Sequence, residues 1–488
     1  MMPLLERTET GPLLAALAQP LLPLALLAAL LVVGRWIGKG IQMKRLGLPE
    51  SLLAGGLGLL LAPGGPLPML PPTVVSFWAE LPLALLTLVF GSLLVAKPLP
   101  KPGPLWRPLR AQILLALVLA FGQFLVGALV VGLVLQPWLG VSPVMACLIE
   151  VAFEGGHGSA AAMGPTYERL GLVGGQDLGL AMATVGLLTA SLMGGLLVVW
   201  GRWRGWLATP PSQDEVQLAE TKPVQVLAAQ EKPDESPGKG PPNPDVEPSS
   251  PAPALAAKPG PRAAVARWLV NLGLAGVAVA LGWGAQLLLG LAANRLGGGV
   301  AVLVSVLPVF PLALLASLLV RWVLERWKLT DWASAPVQQR IGTLAADLLI
   351  VAATASLNLG LLTRSWQPLL ALSLAGLTWN LGVVVLLGKR LMPAPWFERS
   401  LVEFGQATGV VASGLLLLQM AEAESRTEVL TPFSIKQLLL QPLLAGGLIT
   451  VAAPLAVDSW GLPAWGGLCL AVVLGAGGLG LWLARVEV

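Results

Sequence analysis

The chain is a succession of apolar blocks, each roughly 20 residues long, set apart by short polar stretches. A helix of about 20 apolar residues crosses about 30 Å of hydrocarbon. Thirteen such segments are predicted, near 11–34, 46–62, 77–96, 111–136, 141–165 and 178–201, and again near 266–292, 297–321, 342–363, 367–388, 400–421, 437–457 and 462–484. A β-barrel would show short alternating segments instead. The pattern therefore predicts an all-α polytopic membrane protein. The first block follows Glu6, Arg7 and Glu9 and is too long for the apolar core of a signal peptide, so it is predicted to be retained as a helix.

The pattern lapses over 202–262. Residues 210–261 hold 13 prolines among scattered charged residues, Ser and Gly. Such a stretch buries too little apolar surface to offset its ordering entropy, which predicts a disordered linker. It divides the chain into a membrane half at 1–201 and another at 263–457, with 458–488 as an extra C-terminal helix. The halves resemble each other. Residues 47–61 parallel 306–320, with Pro49 matching Pro308; Gln123 matches Asn380; and 154–164 parallels 403–414, with His157 matching Gln406. Matches in the same order at similar offsets predict an internal duplication, an architecture common in secondary transporters.

Charge then bears on topology. If 141–165 and 400–421 each dip in and return on one side, and the N-terminus lies outside, 26 of the 30 basic residues fall inside. Lys436 and Arg35 count there as loop residues. This satisfies the positive-inside rule; letting 141–165 cross fully puts Arg202, Arg204, Arg262 and Arg267 outside. The expected architecture is two inverted repeats, each of five transmembrane helices plus a re-entrant hairpin, with linker and C-terminus inside.

Composition narrows the function. The chain is 55% hydrophobic and 11% charged, against about 25% charged in soluble domains. The net charge of +4 comes from loops between apolar blocks, so no nucleic-acid partner is inferred. Cys147 and Cys469 lie in apolar segments and offer no disulfide framework or metal-ligand spacing.

The chemistry concentrates in FEGGHGSAAAMG at 153–164, which holds the chain's one histidine, His157. Irregular backbone at membrane depth survives where it is buried in protein or lines a wet cavity. Gly155, Gly156 and Gly158 allow a tight turn, and Ser159 is expected to cap the half-helix after it. The free N–H groups of that half-helix would suit an anion. Gly405, Gln406, Thr408 and Gly409 repeat the logic in the second half. Two tips meeting near the midplane would make one substrate site. Glu150, Glu154, Asp347 and Glu403 are candidate cation ligands, because intramembrane acids are costly and default to function. Blander roles stand beside these. His157 could be a packed neutral side chain, Glu154 a structural hydrogen-bonding group, Asp347 a solvated helix end, and Gln123 and Asn380 a bond across helices. A channel would want a charged ring or repeated filter. An enzyme would need a partnered constellation. Neither is evident.

GGHGSAAAMG with the YERLG that follows, at 155–171, resembles the GGHGTAAA-type motif of the bacterial sodium/glutamate symporter family, and the segment pattern around it extends the resemblance over roughly 20–457. The resemblance implies sodium-coupled uptake of L-glutamate, two hairpins bearing glycine motifs, and a homodimer in the bacterial cytoplasmic membrane, with no organic cofactor. It maps the first hairpin motif onto Gly155, Gly156, His157, Gly158, Ser159, Ala160, Ala161 and Ala162, where Ser159 keeps the hydroxyl of the usual threonine. The second stretch, FGQATGVVASG, is poorer in glycine than the family pattern. That leaves a different organic anion, such as a dicarboxylate or related amino acid, as the alternative substrate.

Overall fold

The computed structural model describes residues 21–41, 43, 49–97, 106–207, 261–296, 308–421 and 426–486. The expected disordered linker falls almost wholly on 208–260, outside the described residues.

All regular structure among the described residues is helical. The first half comprises α1 (Leu21–Gly40), α2 (Glu50–Leu61), α3 (Pro72–Leu93), α4 (Trp106–Val130, continued by a π-turn at Val131–Leu135), α5 (Leu148–Phe153), α6 (Gly156–Ala162), α7 (Gly164–Arg169) and α8 (Gly175–Trp203). The second comprises α9 (Pro261–Leu296), α10 (Val309–Arg326), α11 (Ala335–Ala355), α12 (Leu359–Arg364), α13 (Trp366–Leu391), α14 (Trp396–Met420), α15 (Arg426–Leu440) and α16 (Leu448–Val486). Pro49, Pro71, Pro308 and Pro395 stand immediately before helices, where a fixed φ and a missing N–H cost nothing. By length and composition eight described helices could cross a membrane; one of them, α14, is broken midway, and the other seven still make this a multi-pass membrane protein.

Four breaks shape the path. In α14, Gly409 (φ −151°) and Val410 (φ 67°) leave helical geometry. The chain doubles back there: a Cβ built on Gly405 would lie 2.5 Å from Gly414 Cα. In a straight helix those Cα atoms would be about 13 Å apart. Val402 and Leu418 accordingly share one apolar cluster with Val429 and Phe433. The first half turns at Gly155–Gly156, with Gly156 at φ 68°. There α5 and α6–α7 form the two limbs, and Tyr167 of one is buried in the same apolar cluster as Leu148 and Val151 of the other. A third break, at 441–447, separates α15 from α16 and carries Ala445 at φ 53° and Gly446 at φ 93°. The fourth is Gly461 (φ 81°), after which the chain returns along α4, with Gly466 near Ala128 and Gly477 near Val118.

The helix α8 organises both hairpins. Gly175 packs on Tyr167 and Gly179 on Ala160; Gly186 meets both Phe153 and Thr408; Gly194 packs on Leu417 and Gly201 on Phe397. The two tips thus reach the middle of α8 from its opposite ends. The broken helix α15–α16 runs past both hairpins as well. Lys436 contacts the second hairpin, and Ala445 and Thr450 contact the first.

Several expectations change. Of the crossing expected at 46–62, the described residues are helical over Glu50–Leu61, about 18 Å, and Pro49 before them is extended. The segment expected at 437–457 begins instead at Arg426 and is interrupted at 441–447. Lys436, counted as a loop residue, sits in α15 with no exposed surface, and Arg35 lies within α1. Asp347, expected near a helix end, lies well inside α11. The turn residues Gly156 and Val410 are 254 positions apart, so the matching of 154–164 with 403–414 is displaced by five residues at the tips.

Candidate functional site

The two turns face each other. A Cβ on Gly156 would lie 2.4 Å from Cγ1 of Val410, so Gly156 is required both by its left-handed backbone and by the close approach. Val410, β-branched at positive φ, is a strained position of the kind that clusters at functional sites. Beside the tips opens a cavity of about 650 Å³. Its walls include Glu154 through Ser159 from the first hairpin, Val410 to Ala412 from the second, Phe90 of α3 and Asp347 of α11. A mostly apolar cleft with a few convergent polar groups is the usual form of a small-molecule site.

Donor and acceptor bookkeeping assigns the polar groups. Thr184 donates its hydroxyl proton to the Leu180 carbonyl at 3.0 Å. His157 Nε2, 3.0 Å from the Thr184 oxygen, must then be the N–H donor, which leaves Nδ1 as an acceptor. Glu154 Oε1 is 3.5 Å from Gln406 Nε2, and its Oε2 is buried without a partner. Gln406 passes the contact on. Its Oε1 accepts from Lys436 Nζ at 2.7 Å, and its Nε2 donates to Gln437 at 3.0 Å. Lys436 also pairs with Glu403 at 2.7 Å, both side chains being buried. A continuous polar chain thus runs from the first tip through the second hairpin to α15.

Gln123 on α4 and Asn380 on α13 act on the second tip. Gln123 donates to the Ala407 carbonyl at 2.7 Å and to Asn380 Oδ1 at 3.2 Å. Asn380 donates to the same carbonyl at 3.0 Å and to Thr408 Oγ1 at 3.1 Å. The Ala407 carbonyl belongs to the last turn before the break, where the helix no longer uses it, and the Thr408 hydroxyl follows it in the chain.

The expected site residues therefore divide. Glu154, Gly155, Gly156, His157, Gly158, Ser159 and Asp347 line the cavity. Asp347 also pairs with Arg35 at 2.5 Å. Gly405, Gln406, Thr408 and Gly409 do not line it. Gly405 packs limb to limb against Gly414, and Gly409 packs against Ala190 of α8. Gln123 and Asn380 hold the second tip, and Glu403 is occupied by Lys436. Ser159 does not cap the half-helix, because α6 already begins at Gly156 and Ser159 lies within it. Lys436 is the residue that sequence reasoning misplaced. Its signal was a single lysine directly before QLLL, read as the edge of an apolar block.

No curated protein and no solved structure matches the chain. Residues 105–231, which hold the first hairpin and α8, match the family model described as Sodium/glutamate symporter. That match spans about a quarter of the chain, the stretch that carries the 155–171 motif.

Proposed function

We propose that the protein is a sodium-coupled symporter that takes up L-glutamate, or a related small anion, by alternating access. The observation that carries this reading is the meeting of two broken-helix tips beside one cavity, halfway along α8. Peptide groups freed from helical bonding are tolerated at membrane depth where they line a wet cavity, and there they can bind a polar solute. Gly155, Gly156, His157, Gly158 and Ser159 would meet the substrate directly. Gly405, Gln406, Thr408 and Gly409 would shape the opposing tip. An amino-acid substrate would set its ammonium group toward Glu154 or Asp347 and its carboxylates toward the peptide groups of the turns. Sodium bound nearby would offset the cost of burying both charges.

In this reading the hairpins are re-entrant and enter from opposite faces, and the two halves form an inverted repeat. The N-terminus lies outside, and the linker and C-terminus inside a bacterial cytoplasmic membrane. The assembly is a homodimer. Alternating access follows if the paired hairpins move together against α1–α3 and α9–α11. The direct test is equilibrium binding of labelled L-glutamate to the purified protein. Binding that requires sodium and fails in potassium supports the reading; binding of a dicarboxylate in place of glutamate keeps the carrier and changes its substrate.

A further inference from the structure

Glu150 stands outside the polar chain that joins Glu154 to Lys436. It lies on α5 with no exposed surface, and no basic side chain among the described residues pairs with it. Its Oε1 accepts from Thr450 Oγ1 at 2.8 Å and from the Ala445 N–H at 3.2 Å. Its Oε2 is buried and accepts nothing. Glu403, about two turns from the second tip, has its charge answered by Lys436. Glu150 has only neutral donors on one oxygen, and a buried carboxylate held that way either carries a proton or has a cation beside its free oxygen.

A second orphan lies against the same piece of backbone. The Ser159 hydroxyl is buried and has no hydrogen-bond partner. It faces Gly446, where an added Cβ would collide with it at 2.3 Å. Ala445 and Gly446 both have left-handed backbones in the break between α15 and α16. The Ala445 N–H goes to Glu150 and the Gly446 N–H to Thr450, so neither continues a helical ladder. Glu150 and Ser159 thus approach one interrupted peptide segment from the first hairpin, each with an oxygen unused.

We propose that these groups bind the coupling cation at the edge of the cavity: a dehydrated sodium ion held by Glu150 Oε2, the Ser159 hydroxyl and carbonyl oxygens of the 441–447 break. This assignment rests on the sodium-coupled reading above and gives it an address. The donor set is all oxygen, with one negative charge when the Glu150 carboxyl exchanges its proton for the ion, which suits a hard monovalent cation. Ser159 also borders the cavity, so an ion there lies next to the substrate and favours its negative charge. The ion would tie the broken helix to the first hairpin, so that its arrival and the ordering of the tip are one event.

The test uses the purified full-length protein in lipid nanodiscs, without substrate. Its unfolding midpoint is followed as sodium chloride replaces choline chloride at constant ionic strength, with potassium chloride in parallel. A ligand that binds the folded state raises the midpoint in step with its occupancy. The expected result is a saturable sodium response, absent with potassium, whose half-saturating concentration rises by about tenfold or more in Glu150→Gln and in Ser159→Ala. Should Glu150→Gln not fold, Ser159→Ala and Thr450→Val carry the comparison. A wild-type sodium response that these variants keep unchanged overturns the site and leaves sodium coupling standing. A wild-type protein indifferent to sodium overturns the coupling reading and the site with it.

Discussion

Lys436 Nζ lies 2.7 Å from Oε2 of Glu403, and neither side chain has more than 2% of its surface exposed. The pair joins the second hairpin to the helix that follows it, and Lys436 reaches Gln406 at the same distance. Removing one member of a buried pair strands the other charge and costs about 3–5 kcal/mol. Lys436→Met is therefore expected to lower the unfolding free energy by about that amount. The double change Lys436→Met with Glu403→Gln should recover most of the loss, because no charge is stranded. Thermal or denaturant unfolding of the four proteins reads the cycle, and a double variant as unstable as Lys436→Met would refute the pairing.

The limbs of the second hairpin touch through glycine. At Gly405 a methyl group would lie 2.5 Å from Gly414 Cα, and backbone cannot swing aside as a flexible side chain can. Gly405→Ala should destabilise by about 1–3 kcal/mol, as overpacking does. Gly382 in α13 has open space around its Cα, so Gly382→Ala should be neutral or stabilising by up to about 1 kcal/mol. Equal effects at both positions would contradict the hairpin geometry.

Gln123 and Asn380 share the Ala407 carbonyl and bond to each other. Their effects should not add. Each change to leucine is expected to cost about 0.6–2 kcal/mol, and a double-mutant cycle should return a coupling of at least about 0.5 kcal/mol. Additive losses would mean that the two amides act separately on the second tip.

Asp347 pairs with Arg35 in a partly exposed setting, with 39% of the arginine side chain and 21% of the aspartate accessible. Solvent screens such a pair, so Asp347→Asn should cost about 1 kcal/mol or less in stability. Because Asp347 also lines the cavity, the same change should weaken substrate binding measurably. A large stability loss with unaltered binding would reassign Asp347 to the scaffold.

Much of this was legible in the sequence for identifiable reasons. Apolar block length located the long helices, and the glycine cluster at 155–158 located the first turn, because few residues other than glycine accept its backbone. The second turn was harder. It falls at Gly409–Val410; Gly409 is among the expected tip residues, but a valine at positive φ carries no sequence signal, so pairing by motif sets Gly156 against Gly405, five residues before Val410. Lys436 was misread because a single lysine beside an apolar block looks the same at a membrane edge as in a buried pair. Only the fold brings it to Glu403, 33 residues away. The break at 441–447 does carry a local signal, Pro442 and the pair Gly446–Gly447, but a short breaker inside a long apolar block does not by itself end a predicted crossing, and contacts with Glu150, 295 residues off, hold the irregular backbone. The cavity itself is assembled from α3, α11 and both hairpins, and no local pattern announces it.

The most direct test of the central claim is accumulation. The protein is reconstituted into liposomes, and uptake of labelled L-glutamate is followed under an inward sodium gradient, with potassium and proton gradients as controls. Accumulation above equilibrium that requires the sodium gradient, and that fails when Gly156 is changed to valine at the meeting point of the tips, is the predicted result. Flux that only equilibrates, whichever ion gradient is imposed, would contradict a symporter.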